Sequence, residues 1–181
     1  MAERFAVLVV CVGNVCRSPL AERLLAARLP AGDFEVASAG VGAMVGYPVE
    51  PNAARELARL GSDGAGFAAR QFTPALAGQA ELVLTATKEI REQVVREAPR
   101  LMKRAFTLRE FETLAQDPRA KEAATSPQDL VRAAARLRAG VPVPDHDVPD
   151  PMGQSETVHR EVADLLDDTC RTIADALVAA R

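Results

Sequence analysis

Apolar residues run unbroken from Phe5 to Val10, and after Gly13-Asn14 they give way to a pattern in which Leu20, Leu24 and Ala27 recur on one helical stripe. An unbroken run bounded by a turn predicts a strand covered on both faces, as in a parallel sheet. The stripe predicts a helix from Ser18 to Leu29, with Ser18 as N-cap and Pro19 at the first helical position. The alternation then repeats. Phe34 to Ser38 reads as a second strand, and "PNAARELARLG", residues 51 to 61, as a helix stopped by Gly61. "AELVLTAT" holds a third strand, "KEIREQVVREA" a charged amphipathic helix ended by Pro99, and "RAFTL" a short fourth strand. Ser155 to Arg181 closes the chain as a long helix carrying Val158, Val162, Leu165 and Leu166. Strands alternating with helices imply a parallel α/β sheet.

Residues 112 to 150 break this rhythm. Ser126 can cap a further helix, Pro127 start it, Asp129 suit its positive end and Gly140 stop it, with Leu130, Ala134 and Leu137 on one face. Arg132 and Arg136 stand one turn apart on what reads as a solvated face. The acidic, proline-rich "VPVPDHDVPDPMG" that follows predicts a surface loop. Residues 112–146 are therefore expected to be an insertion within a single domain spanning 1–181.

The chain has 181 residues, 48% of them hydrophobic and 26% charged, the composition of one ordinary globular domain. A formal charge of −3 provides no general field toward nucleic acid or an anionic membrane, so any anion site must be local. Phe5 to Val12 is far shorter than the ~20 residues that span a bilayer. Met1-Ala2-Glu3-Arg4 lacks the pattern of a secretory signal, which predicts a cytoplasmic protein. Three cysteines, an odd number, argue against a disulfide framework and suit a reducing compartment.

The candidate chemistry lies in "VCVGNVCRSPLAE", where Cys11, Cys16 and Arg17 fall between the first strand and the first helix. Two thiols and a guanidinium can form a metal clip, a redox pair, core filler or an anion cradle. In an open α/β sheet, ligands bind beyond the carboxyl ends of the strands, where Cys11 stands. A turn feeding a helix aims several unpaired N–H groups at one point, and the helix dipole adds positive charge there. Gly13 permits the tight backbone, and Arg17 adds a planar fork of donors suited to phosphoryl oxygens. Surroundings that hold phosphate also draw a thiol's pKa down from about 8.5, so cradle and nucleophile reinforce each other. A metal clip fits poorly, because Cys11 and Cys16 lack CxxC spacing and His146 and His159 lack zinc-type spacing. Core filler leaves Arg17 and the strand-turn-helix placement unexplained.

This segment resembles the signature of the low-molecular-weight protein tyrosine phosphatase family, C-x5-R-S between a first strand and a first helix. "SAG" at 38 to 40, "ARQFT" before "AELVLTAT", and "VPDPMGQS" at 148 to 155 are similar to family segments and come in the same order. The resemblance implies a four-stranded parallel sheet flanked by helices on both faces, in agreement with the alternation above. It also implies that Cys11 attacks phosphorus to form a cysteinyl-phosphate, while Arg17 and the loop from Val12 through Gly13, Asn14, Val15 and Cys16 to Ser18 bind the phosphoryl group. Ser18 would help stabilise the thiolate, Asn14 and Ser38 would support the loop, and Asp150 would act as general acid and then base. Cys16 corresponds to a redox guard of the nucleophile. Asp145 and Asp147 are read as solvated loop charges and His146 as a surface histidine.

The departures bear on specificity. Met44 and Met152 stand where the family places aromatic cleft walls, Tyr47 is a substitute wall, and Phe67 replaces a histidine. "RAFTLREF" and the "DPMGQS" tail are also similar to the protein arginine phosphatase branch, which carries a threonine where this chain has Val15. The aliphatic Val15 favours phosphotyrosine over phosphoarginine. Further alternatives are a thiol-dependent arsenate reductase, for which only Cys170 remains outside the loop, and a non-catalytic phosphate-binding module. The leading expectation is a phosphomonoesterase without metal or cofactor. Its substrate would be a phosphorylated protein or peptide, a tyrosine kinase among the candidates, and its product inorganic phosphate.

Overall fold

The computed structural model describes residues 4–181; the amino-terminal Met1 to Glu3, on which the reading of a missing signal partly rests, lie outside the described residues. The order is β1 (Phe5–Cys11), α1 (Arg17–Arg28), β2 (Phe34–Gly40), α2 (Pro51–Arg59), α3 (Pro74–Gly78), β3 (Leu82–Thr85), α4 (Lys88–Glu97), β4 (Ala105–Thr107), α5 (Leu108–Gln116), α6 (Pro118–Ala123), α7 (Pro127–Leu137) and α8 (Glu156–Ala179). The strands form one parallel sheet in the order β2-β1-β3-β4. Among the described residues no helix is long and apolar enough to cross a membrane.

Why β1 is apolar throughout follows from its central place. Val7 and Val9 face a layer built on α1, α2, α5, α7 and α8, whereas Leu8 and Val10 face Phe72, Ala77, Ile90 and Val94 on the side of α3 and α4. Successive strand residues point to opposite faces, and both faces are covered. The register sets Cys11 beside Gly40 and Val10 beside Thr85, which gathers the loops after β1, β2 and β3 at one edge.

Ser18 does not cap α1. The helix begins at Arg17, two residues before the expected first position Pro19, and its N-cap Cys16 makes no side-chain capping bond. The strand β2 runs two residues beyond Ser38, to Gly40. Ser126 does cap α7, its hydroxyl accepting from the Asp129 amide at 3.1 Å, and Ser155 likewise caps α8. Helices α3, α5 and α6 are additions to the pattern read from periodicity. The first and third are of five and six residues, too short to show a stripe.

Candidate active site

Cys11 is the last residue of β1, and its carbonyl together with those of Val12, Gly13 and Val15 accepts hydrogen bonds from the amides of Val41, Gly42, Met44 and Glu50, at 2.8 to 3.0 Å. The segment after β2 thus holds the loop's oxygens on its outer side. The amides of Gly13, Val15 and Cys16 donate to no carbonyl among the described residues. Those of Arg17 and Ser18 belong to the first turn of α1, where helical N–H groups have no intrahelical partner. Partial positive charge therefore converges at the mouth of the loop.

The interior of the loop is fixed by a chain of polar side chains. The Cys11 Sγ lies 2.9 Å from the Ser18 hydroxyl and accepts from the Asn14 amide at 3.3 Å. Asn14, with φ of 56°, is the one non-glycine residue of positive φ among those described. Its side chain offsets that strain: Nδ2 donates to Ser18 and to Ser38, both at 2.9 Å, and Oδ1 accepts from the Arg70 amide at 2.9 Å. Two further residues, which sequence reasoning missed, complete the chain. The Ser38 hydroxyl donates to the Glu22 carboxylate, and the Arg70 Nε donates to the Ser38 carbonyl at 2.8 Å. Arg70 lies in the quoted "ARQFT", so a signal existed; Glu22 reads as an ordinary polar helix position.

Arg17 is 4% exposed, with one nitrogen donating to the Val148 carbonyl at 3.0 Å and another 3.3 Å from Asp150 Oδ2. This brings together residues 133 positions apart. The loop carrying Asp150 is held from below as well: the Val148 amide donates to Ala86, and Asp147 accepts from the Lys88 amide at 2.8 Å. Asp147 is thus a tether to the start of α4, not only a solvated charge, and Asp145 in turn accepts from the Asp147 amide. His146 also leaves the surface reading, since it is half-buried with Nδ1 3.4 Å from the Thr107 hydroxyl.

Val12, Met44, Tyr47 and Met152 are all substantially exposed. Val15 is buried in the core layer beneath the loop, its Cγ2 beside Gly13. Phe67 lies under the Arg23 guanidinium, 6.0 Å from it. Cys16 is buried, and burial, with Glu50 and Cys11 nearby, pushes its thiol up from 9.0 to about 12. Burial likewise pushes up the Cys170 thiol, which sits within α8.

A family model described as low molecular weight phosphotyrosine protein phosphatase matches residues 6–125, a span that takes in the loop and Ser38 and ends before Asp150. The probable low molecular weight protein-tyrosine-phosphatase EpsP of Ralstonia nicotianae is 39% identical over 106 residues, 59% of this chain and 72% of that protein. The low molecular weight protein-tyrosine-phosphatase Etp of Escherichia coli is 43% identical over 94 residues, 52% of this chain and 62% of that one. Among solved structures, the tyrosine phosphatase Wzb from Escherichia coli K30, in complex with sulphate, has a TM-score of 0.73 at 26% identity, covering 96% of this chain and 98% of that one. The YwlE arginine phosphatase from Geobacillus stearothermophilus has a TM-score of 0.74 at 28% identity, covering 96% and 93%.

Proposed function

The chain belongs to the low molecular weight phosphotyrosine protein phosphatase family, and from that premise we propose that it hydrolyses phosphotyrosine in proteins through a cysteinyl-phosphate on Cys11. The observation that carries the reading is Cys11 Sγ held by the Ser18 hydroxyl and the Asn14 amide at the start of a loop whose next amides are unpaired, with Arg17 on that loop reaching Asp150. In the first step the Cys11 sulfur attacks phosphorus and the bond to the aryl oxygen breaks. Asp150 supplies the proton that the leaving oxygen takes. Arg17 and the loop amides hold the phosphoryl oxygens, and the Ser18 hydroxyl donates to the sulfur when it leaves as thiolate. In the second step Asp150, now a carboxylate, takes a proton from water, which attacks phosphorus and displaces Cys11 with release of inorganic phosphate.

The contact between Arg17 and Asp150 bears on the order of events. An entering phosphoryl dianion competes for the guanidinium, and the released Asp150 carboxylate takes a proton from solvent before it meets the leaving oxygen. We assign as apolar walls for an aromatic ring Met44, whose side chain lies against Gly13, and Met152, whose amide donates to Asp150, with the exposed Tyr47 as a further wall; methionine supplies contact without rigid shape. We assign Cys16 the role of redox partner: peroxide converts the Cys11 thiolate to a sulfenic acid, and Cys16 condenses with it to a disulfide and water. Burial of the Cys16 thiol, which pushes it up to about 12, keeps it protonated beside Cys11 until the sulfenic acid forms. The reaction needs Cys11 reduced, which suits a reducing compartment such as the cytoplasm and phosphorylated proteins there.

Cys11→Ser abolishes turnover of phenyl phosphate while inorganic phosphate still binds, and Asp150→Ala slows esters of poor leaving groups by about 10²- to 10⁴-fold, with good leaving groups affected least. Retained turnover in Cys11→Ser overturns the assignment. Faster hydrolysis of a phosphoarginine peptide than of the matching phosphotyrosine peptide moves the chain to the arginine branch.

A further inference from the structure

Beside the cradle lies a second depression, a groove of about 420 Å³ lined by Val12 and Arg17 of the loop, Val41 and Gly42 after β2, and Thr87, Glu89, Ile90 and Gln93 at the start of α4. It shares Val12 and Arg17 with the phosphate site, so a polypeptide whose phosphorylated residue enters the cradle can lay a flanking residue in this groove. Its chemistry is divided. Val12, Val41 and Ile90 supply apolar surface, while Glu89 is exposed and forms no ion pair among the described residues. The polar neighbours are already engaged: Thr87 caps α4 through the Ile90 amide at 3.2 Å, and Gln93 donates to Glu97 at 3.0 Å. An apolar floor with one unpaired carboxylate at its rim matches a long aliphatic stem ending in a cation.

We propose that this groove is a specificity subsite for a lysine or arginine side chain flanking the phosphorylated residue of the substrate, with Glu89 as the residue that selects it. The inference rests on the phosphatase reading above. Two cations stand near. Lys88 precedes Glu89 on the chain and forms no ion pair with it, and Arg17 borders the groove on the cradle side. A bound phosphoryl dianion outweighs the single charge of Arg17, so the substrate's own phosphate removes the repulsion that Arg17 would otherwise exert on a neighbouring cation. Cationic recognition is therefore strongest when phosphate is in the cradle, and a basic peptide without phosphate gains little from the groove.

The test is kcat/KM on phosphotyrosine peptides that differ only in one flanking residue, arginine, alanine or glutamate, each value divided by that of the same enzyme on phenyl phosphate, which has no flanking residue. The native enzyme should favour arginine over glutamate by about three- to fivefold, the scale of one partly exposed charge pair, and the ratio should shrink in high salt. In E89Q the ratio falls toward one, and in E89K it reverses. An unchanged ratio in both variants, or equal rates on all three peptides by the native enzyme, overturns the subsite while phenyl phosphate turnover upholds the phosphatase reading. Absence of phenyl phosphate turnover overturns both.

Discussion

Gly40 leaves no room for a side chain, because a Cβ there would stand 2.3 Å from the Val12 carbonyl oxygen and 3.0 Å from the Asn14 backbone nitrogen. The loop around Cys11 is shaped by such contacts from outside as much as by its own residues. Glu22 is one of them, since it holds the Ser38 hydroxyl that receives the Asn14 amide group. Glu22→Ala is expected to lower kcat on phenyl phosphate about ten- to hundredfold through a displaced loop. Glu22→Gln, which still offers an oxygen to Ser38, should restore most of it; equal loss in both variants would show that the acceptor is not what matters. Cys16 makes a prediction of the opposite kind. Below pH 9 both folded and unfolded chains keep its proton, whereas between 9 and about 12 only the unfolded chain releases it. Stability therefore falls as pH rises through that window, by roughly 1 kcal/mol per unit from this group. Cys16→Ala should flatten the difference between urea midpoints at pH 8 and pH 10, and an unchanged difference would contradict the assignment of that slope to Cys16.

At the scale of elements, the start of α4 joins three functions in a few residues. Thr87 caps the helix, Asp147 receives the Lys88 amide, and the neighbouring Ala86 carbonyl accepts from Val148. Asp147→Ala is expected to cost about 1 kcal/mol of stability, comparable to a lost helix cap. It should also lower kcat more for poor leaving groups than for good ones, since the tether holds the segment that presents Asp150; a uniform effect across leaving groups would sever that link. The strands are legible as short apolar runs bounded by turns, and α1, α2, α4, α7 and α8 as longer amphipathic or capped stretches. Helices α3 and α6 are not, although Thr73-Pro74 and Asp117-Pro118 are cap-and-proline starts. The start of α5 was also written in the chain, as a capping box of Thr107 and Glu110 placed directly after β4. A strand ending on a helix cap is easily mistaken for a plain turn.

Taken whole, the molecule folds the region around residues 112–146 into its main core layer. Leu114, Ala120, Leu130, Val131 and Ala134 are buried in the same cluster as Leu20 of α1 and Leu166 of α8. Leu130→Ala should therefore cost about 2–5 kcal/mol in urea unfolding while kcat/KM on phenyl phosphate stays near the native value. Preserved stability with lost activity would instead make this region part of the catalytic surface. The amino-acid sequence alone determined the alternation of strand and helix, the Cys11 to Ser18 loop at the end of β1 and its likeness to a phosphate-binding signature, because these depend on local pattern and short spacing. Tertiary structure alone decided that Asp150, already expected in the site by resemblance, contacts Arg17 itself across 133 positions, that Glu22 holds Ser38, that Asp147 tethers rather than dangles, and that Glu89 overlooks a groove beside the cradle. Those contacts depend on where a parallel sheet brings its loops together, and no spacing along the chain encodes that distance.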